Sequence, residues 1–279
     1  MRKGFKTSWT TERVFISAPG KDHDSLLLTN TFAGVCDGAT PLFGASAEVA
    51  RAFARDSLAR LAESSSGTLN APSAASVAIC RLAQYYEKGP RAPSACVAWC
   101  SISSDMLTIA VLGNCQAIVG NGSKNWHATI TDRRVDSFDD VVVKRHQRLI
   151  GSGIGRDISH IEREKTIQQN RLAMNQPDSY YLFTTDERVS LEVTWICMPA
   201  EEPDTILLTT DGFARCERPF ALVPTIEELF WSARSDPAIM ARIAGEVRQL
   251  EKSDPACIQY PRLGQYDDLT ALLLKRASE

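Results

Sequence analysis

The order of apolar segments predicts an α+β chain of antiparallel sheets covered by helices. Short apolar runs bounded by turn residues occur early, at 26–36, and again as a meander over 94–120. Amphipathic helical stretches come in two blocks, over 44–88 and 224–252, and one last apolar strand closes the chain at 269–275. Strand and helix do not alternate as a parallel doubly wound sheet requires, and no internal repeat is present.

Leu26–Cys36 reads as two strands around a Thr29-Asn30-Thr31 turn. Over 44–63, Ala47, Val49, Ala50, Phe53, Ala54, Leu58 and Leu61 recur near the helical period, with Arg and Asp between them. Ser64–Ser73 is rich in Ser, Gly and Pro and reads as a loop. A second helix over 74–88 stops at Gly89-Pro90. Strands follow at 94–103, 106–112 and 115–120, with turns at Asp105 and Gly113-Asn114. The polar stretch 121–203 is weakly periodic. It offers strands at 180–184 and 193–198, and 132–178 reads as a variable, flap-like surface insertion with some helix. Thr205–Thr210 is a strand running into Asp211-Gly212, and helices over 224–234 and 236–252 each open after a Pro or Ser-Asp-Pro signal. No composition break divides the 279 residues, so one domain over 1–279 is expected.

Composition narrows the function classes. A 44% hydrophobic and 23% charged chain with net charge -3 is ordinary for a globular protein. No Lys/Arg-dense face points to nucleic acid. The apolar windows are strand-length, too short to span a bilayer, and no signal-type run follows the basic start, so a cytoplasmic protein is expected. The eight cysteines form no Cys-x-x-Cys pair and sit mostly in apolar runs, where they act as small hydrophobes.

Three aspartates share a setting. Asp37 follows Phe32–Cys36, Asp211 follows Ile206–Thr210, and Asp267 precedes Leu269–Leu274. Each lies at one end of an apolar strand, two are followed by Gly, and Asp24 stands just before the first strand. One Asp-Gly after a strand is usually a turn. Several carboxylates brought together by neighbouring strands repel unless a cation sits among them, and hard oxygen ligands favour Mg²⁺, Mn²⁺ or Ca²⁺.

These residues resemble the PP2C-type (PPM) metal-dependent protein phosphatases. The family's blocks are matched in order by Lys21-Asp22-His23-Asp24-Ser25, Val35-Cys36-Asp37-Gly38, Val111–Ala117, Leu207–Phe213 and Asp267-Asp268-Leu269-Thr270. The resemblance implies a four-layer αββα sandwich of two antiparallel sheets flanked by helices. It implies two Mg²⁺ or Mn²⁺ ions. Asp37 would bridge them, the Gly38 carbonyl would bind one, Asp211 and Asp267 would bind the other, and Asp24 would hold a metal-bound water. The implied activity is hydrolysis of phosphate monoesters by a metal-activated water, on phosphoserine or phosphothreonine proteins. A phosphorylated metabolite as substrate, or a non-catalytic binding module, are the alternatives.

The chain departs from the family at several places. Asn114 stands where many members have a third-metal Asp, so a third ion should bind weakly or not at all. Ala39-Thr40-Pro41-Leu42-Phe43 carries no His to serve as general acid. The family's phosphate-binding Arg is absent; Lys21 is the candidate in its place, or else a solvated surface lysine. Asp268 replaces an Asn and is expected to add charge at the metals. His23 is expected to be a partly exposed histidine, or else to bind a metal or a substrate phosphate. The basic residues at 144–148, 156, 163 and 165 are expected to form a solvated helix face, or else to guide a phosphorylated substrate.

Overall fold

The computed structural model describes residues 5, 9–40, 46–66, 70–89, 91–103, 105–153 and 156–277. Among them, two five-stranded antiparallel sheets form. Sheet A has the order β1 (Trp9–Ile16), β10 (Leu269–Arg276), β9 (Thr205–Thr209), β6 (Gln116–Asn121), β7 (Trp126–Thr131). Sheet B has the order β2 (Asp24–Leu28), β3 (Phe32–Gly38), β4 (Ala95–Ser103), β5 (Met106–Leu112), β8 (Thr194–Pro199).

Side chains that alternate along these strands build three apolar layers. Ala98, Cys100, Ile109 and Val111 of sheet B meet Ile206, Leu208, Leu272 and Leu274 of sheet A between the sheets. The opposite face of sheet B offers Val97, Trp99, Ala110 and Leu112 to α1 (Ala47–Ser65) and α2 (Ala71–Leu82), which answer with Phe53, Leu58, Leu61 and Ile79. The opposite face of sheet A offers Ile118, Leu207 and Leu273 to α6 (Ile226–Ser235) and α7 (Ile239–Ser253), through Phe230, Met240 and Val247. The order helix, sheet, sheet, helix is the four-layer αββα sandwich. All eight cysteines are free and six are buried, consistent with packing rather than cross-linking.

Local signals set the helix starts. Ser46, Asn70 and Thr225 each accept a backbone N–H three residues on, and Glu228 stands at the third position after Thr225. The expected start of the first helix at 44, part of the 64–73 loop and residues 41–43 lie outside the described residues.

Two readings of the sequence need correction, at 180–184 and at the strands β1 and β7. The segment 180–184 is no strand and makes only an isolated bridge, Phe183 to Ala95. Its Tyr180, Leu182 and Phe183 are buried, but β5 occupies that edge of β4 from Val97 onward, so only its end at Ala95 is open for a bridge. Strands β1 and β7 were missed because both are edge strands with largely polar, half-exposed faces. The stretch 132–178 holds two long antiparallel-packed helices, α3 (Arg134–Gly151) and α4 (Arg156–Ala173). Only narrow stripes of them, such as Val135 and Val142, reach the core, so their period is faint in sequence.

One carboxylate ties the start of sheet A to the start of sheet B. Asp268 accepts the N–H groups of Ala18 at 2.6 Å, His23 at 2.5 Å and Asp24 at 3.1 Å. It is buried, and fixes the β1–β2 connection against β10. It therefore clamps backbone, a role the sequence reading did not foresee. Asp268→Asn turns an amide donor toward at least one of these N–H groups. It should destabilise the fold by about 2–3 kcal/mol. That lowers Tm by roughly 5–10 °C, which thermal unfolding by circular dichroism will read. An unchanged Tm would show that the clamp contributes little.

Candidate active site

The two sheets end together on one side of the sandwich, and the conspicuous aspartates lie at that end. Asp24 opens β2 directly opposite Asp37 near the end of β3. Thr209 closes β9 opposite Ala271 of β10, so Asp211 and Asp267 flank the same pair of strand ends. Strand β10 packs against both β2 and β3. Gly212 permits the closest approach: a Cβ there would fall on the carbonyl oxygen of Asp268 and lie 3.2 Å from Cβ of Asp267. Gly38 is similarly confined, since its Cβ would lie 2.8 Å from the His23 carbonyl oxygen and 2.9 Å from that of Ala50.

The result is a cleft of about 600 Å³. Lys21, His23, Asp37, Gly38, Asp211 and Asp267 form its floor. The helices α3 and α4 supply the facing wall, with Phe138, Asp139, Arg163 and Arg171. Asp139 was missed in the sequence because it sits within the weakly patterned stretch, with no strand-end setting to mark it.

Burial and mutual repulsion govern the carboxyls. Asp37 and Asp211 stand within hydrogen-bonding range of each other. Burial, then the Asp211 charge, pushes Asp37 well above the usual carboxylate range. Burial, then Asp267, pushes Asp211 up to about 6, although Arg215 pulls it back. Asp139 is pushed up to about 8 by burial and by Asp211. Asp24 is raised chiefly by burial, with Asp268 and Asp267 adding to it, and Thr210 Oγ1 donates to its Oδ2 at 2.9 Å. Asp24 lies behind the cleft floor and does not line it.

Asp267 behaves in the opposite way. Burial would raise its pKa, but Arg215 and then Lys21 hold it below the ordinary value. Lys21 Nζ lies 3.2 Å from Oδ1 and Arg215 Nη2 lies 2.6 Å from Oδ2. Burial opposes the Lys21 charge, yet Asp267 raises the Lys21 pKa. The buried Arg215 also donates to Glu251 Oε1 at 2.8 Å, and Glu251 is fully buried and paired in addition with Arg248. A second buried pair, Arg262 with Asp254 at 2.8 Å, pins the loop that leads to Asp267. These residues were also missed. Only Glu251 leaves a trace in sequence, as a charge on the buried face of α7; Arg215, Asp254 and Arg262 lie at helix ends or in a loop.

His23 is buried at 5% exposure, against the expectation of a partly exposed ring. Its backbone N–H is held by Asp268 and its carbonyl accepts from Gly38, which draws the ring into the floor. Nε2 has no hydrogen-bond partner there, and burial lowers the pKa, favouring the neutral ring. Asn114 is buried on the cleft wall, within hydrogen-bonding range of Asp136. Lys144, Arg145 and Lys165 lie on an exposed helical face and pair with Asp140 and Glu162. Arg163 is the member of the basic set that reaches the cleft.

Whether a divalent cation suits the site follows from its donors. Among the described residues, no three Asp, Glu, His or Cys side chains already stand as a metal cage. Asp37 and Asp211 nonetheless fit Mg²⁺ or Mn²⁺. They are adjacent hard-oxygen donors, kept partly protonated by burial with too little positive charge nearby. Asp267 offers the same atoms, with both oxygens already engaged by cationic side chains.

No family model matches the sequence, and no curated protein matches it. Solved structures do. The catalytic domain of the serine/threonine protein phosphatase PstP in complex with two manganese ions is 14% identical, with a TM-score of 0.54 and 97% of this chain and 98% of that one covered. The serine/threonine phosphatase Stp1 from Staphylococcus aureus is 15% identical, with a TM-score of 0.51 over 100% of this chain and 98% of that one. PppA of Pseudomonas aeruginosa, described as a key regulatory component of T6SS, is 14% identical, with a TM-score of 0.53 over 97% and 98%. The sheet order, the layers and these full-length likenesses together establish that the chain has the fold of the bacterial PP2C-type serine/threonine phosphatases.

Proposed function

We propose that this chain is a metal-dependent phosphatase that hydrolyses phosphate monoesters, with phosphoserine or phosphothreonine proteins as the substrate class. The observation that carries the reading is the meeting of Asp37, Gly38, Asp211 and Asp267 in one cleft at the strand ends of this fold. The serine/threonine phosphatase neighbours support the substrate class, and the neighbour holding two manganese ions supports Mg²⁺ or Mn²⁺ as cofactor.

A divalent ion at such a site lowers the pKa of water and offsets charge on phosphoryl oxygens. The protein's own groups do the rest. Asp37 and Asp211 would hold the cation at the cleft floor. Thr210 orients the Asp24 carboxyl behind them. Lys21 stands beside Asp267, where its ammonium group can turn toward an entering phosphate. Burial and the Asp211 charge push the Asp139 pKa up to about 8, so its carboxyl on the facing wall is suited to carrying a proton. Val135, Phe138, Tyr180 and Leu182 give the cleft an apolar flank suited to the carbon skeleton around a phosphorylated side chain. Among the described residues no helix is long and apolar enough to cross a membrane.

Asp37→Asn and Asp211→Asn should each lower Mn²⁺-stimulated hydrolysis of para-nitrophenyl phosphate by roughly a hundredfold to a thousandfold. Wild-type rates in either variant at saturating Mn²⁺ would sink the assignment. A phosphopeptide panel run beside phosphorylated metabolites will separate protein from small-molecule substrates, with phosphopeptides expected to turn over faster.

Metal binding should also compete with protons. The raised pKa values mean that Asp37 and Asp211 release protons when a cation enters, so affinity rises as pH climbs through their folded-state values. Mn²⁺ should bind roughly tenfold more tightly at about pH 7.5 than at about pH 5.5, with calorimetric enthalpies that depend on the buffer. A pH-independent affinity would place the cation elsewhere.

A further inference from the structure

We propose that Arg215, assisted by Lys21, replaces one of the two expected metal ions, so that the working site holds a single divalent cation on Asp37 and Asp211. This inference rests on the reading of the cleft as a metal-dependent phosphatase site, and goes beyond it by fixing how its charge is balanced.

The geometry at Asp267 supports it. Oδ2 receives Arg215 Nη2 at 2.6 Å, and Oδ1 receives Lys21 Nζ and the Asp268 N–H, each at 3.2 Å. Both oxygens that would face a metal are taken. A second divalent ion at Asp267 would have to sit against two positive side chains in a poorly screened, buried setting, where like charges repel strongly. Lys21 is free enough to swing aside, its side chain being 29% exposed. Arg215 is not. Its guanidinium is planar, always charged and forked between Asp267 and the fully buried Glu251. Withdrawing it would strand buried carboxylates, an expensive change. Arg248 and the walls of α7 keep Glu251, and hence Arg215, in place.

The charge pattern on the other side of the cleft is complementary. Asp37 and Asp211 have no salt-bridge partner within the site among the described ion pairs, so the demand for positive charge is concentrated there. One divalent ion at that pair, with Arg215 and Lys21 at Asp267, leaves the floor slightly positive, which suits a phosphate dianion.

Calorimetric titration of the full chain with Mn²⁺, together with anomalous X-ray scattering at the manganese edge, tests this directly. The expected result is one Mn²⁺ per chain, at Asp37 and Asp211, with the electron paramagnetic resonance spectrum of an isolated ion. Two ions per chain, with an exchange-coupled spectrum, would overturn the inference and leave the phosphatase reading standing. No bound Mn²⁺ or Mg²⁺ would overturn both. The paired variant Lys21→Gln with Arg215→Gln should gain a second ion, because Glu251 keeps Arg248 as partner. A folded paired variant that still binds one ion would show that the two side chains do not exclude the second, and would equally overturn the inference. If that variant fails to fold, the wild-type count alone decides.

Discussion

Repulsion among buried carboxyls at one end of the sandwich is the constraint around which the rest is arranged. Asp24, Asp37, Asp211 and Asp267 come from four different strand ends, and each would cost stability if charged and alone. The molecule meets this in two ways. Burial and the charges of neighbouring carboxylates raise the pKa values of Asp37 and Asp211. Asp267 stays charged because Arg215 and Lys21 are fixed beside it. On the proposed reading, the first arrangement would take up an exchangeable cation, while the second has its positive charge built in.

Support for the site is distributed through the outer layers. Arg215 is aimed by Glu251 on α7, and the loop before Asp267 is held by Arg262 and Asp254. Asp268 fastens the other side through three backbone N–H groups. The rigid core of interdigitated apolar layers fixes the strand ends, and these polar networks set the last few ångströms. The cleft wall is less tightly integrated. Helices α3 and α4 contribute few core residues and meet each other partly through exposed ion pairs such as Arg145 with Glu162. Such pairs contribute little stability, so this wall is held less firmly than the strand ends it faces.

Much of the fold was legible in sequence because apolar runs betray strands buried on both faces. Thr205–Thr209, Ala95–Ser103 and Leu269–Arg276 are of this kind. Edge strands β1 and β7 carry too many polar residues to stand out. The 180–184 segment carried the opposite error: it has a strand's pattern but only one open position, at Ala95, to pair with. The long helices α3 and α4 were blurred because only a thin stripe of each is buried.

The sequence by itself determined that acidic residues terminate several core strands, because strand ends are where an apolar run meets a turn, and that pattern is local. It also determined the layered antiparallel class, since alternation and run length are properties of the chain alone. Only the tertiary structure decided which charges meet. Asp268 as a backbone clamp, His23 as a buried ring, Asp139 on the facing wall and Arg215 on Asp267 all depend on contacts between segments far apart in the chain. Electrostatic pairing acts through space, and no local pattern encodes it.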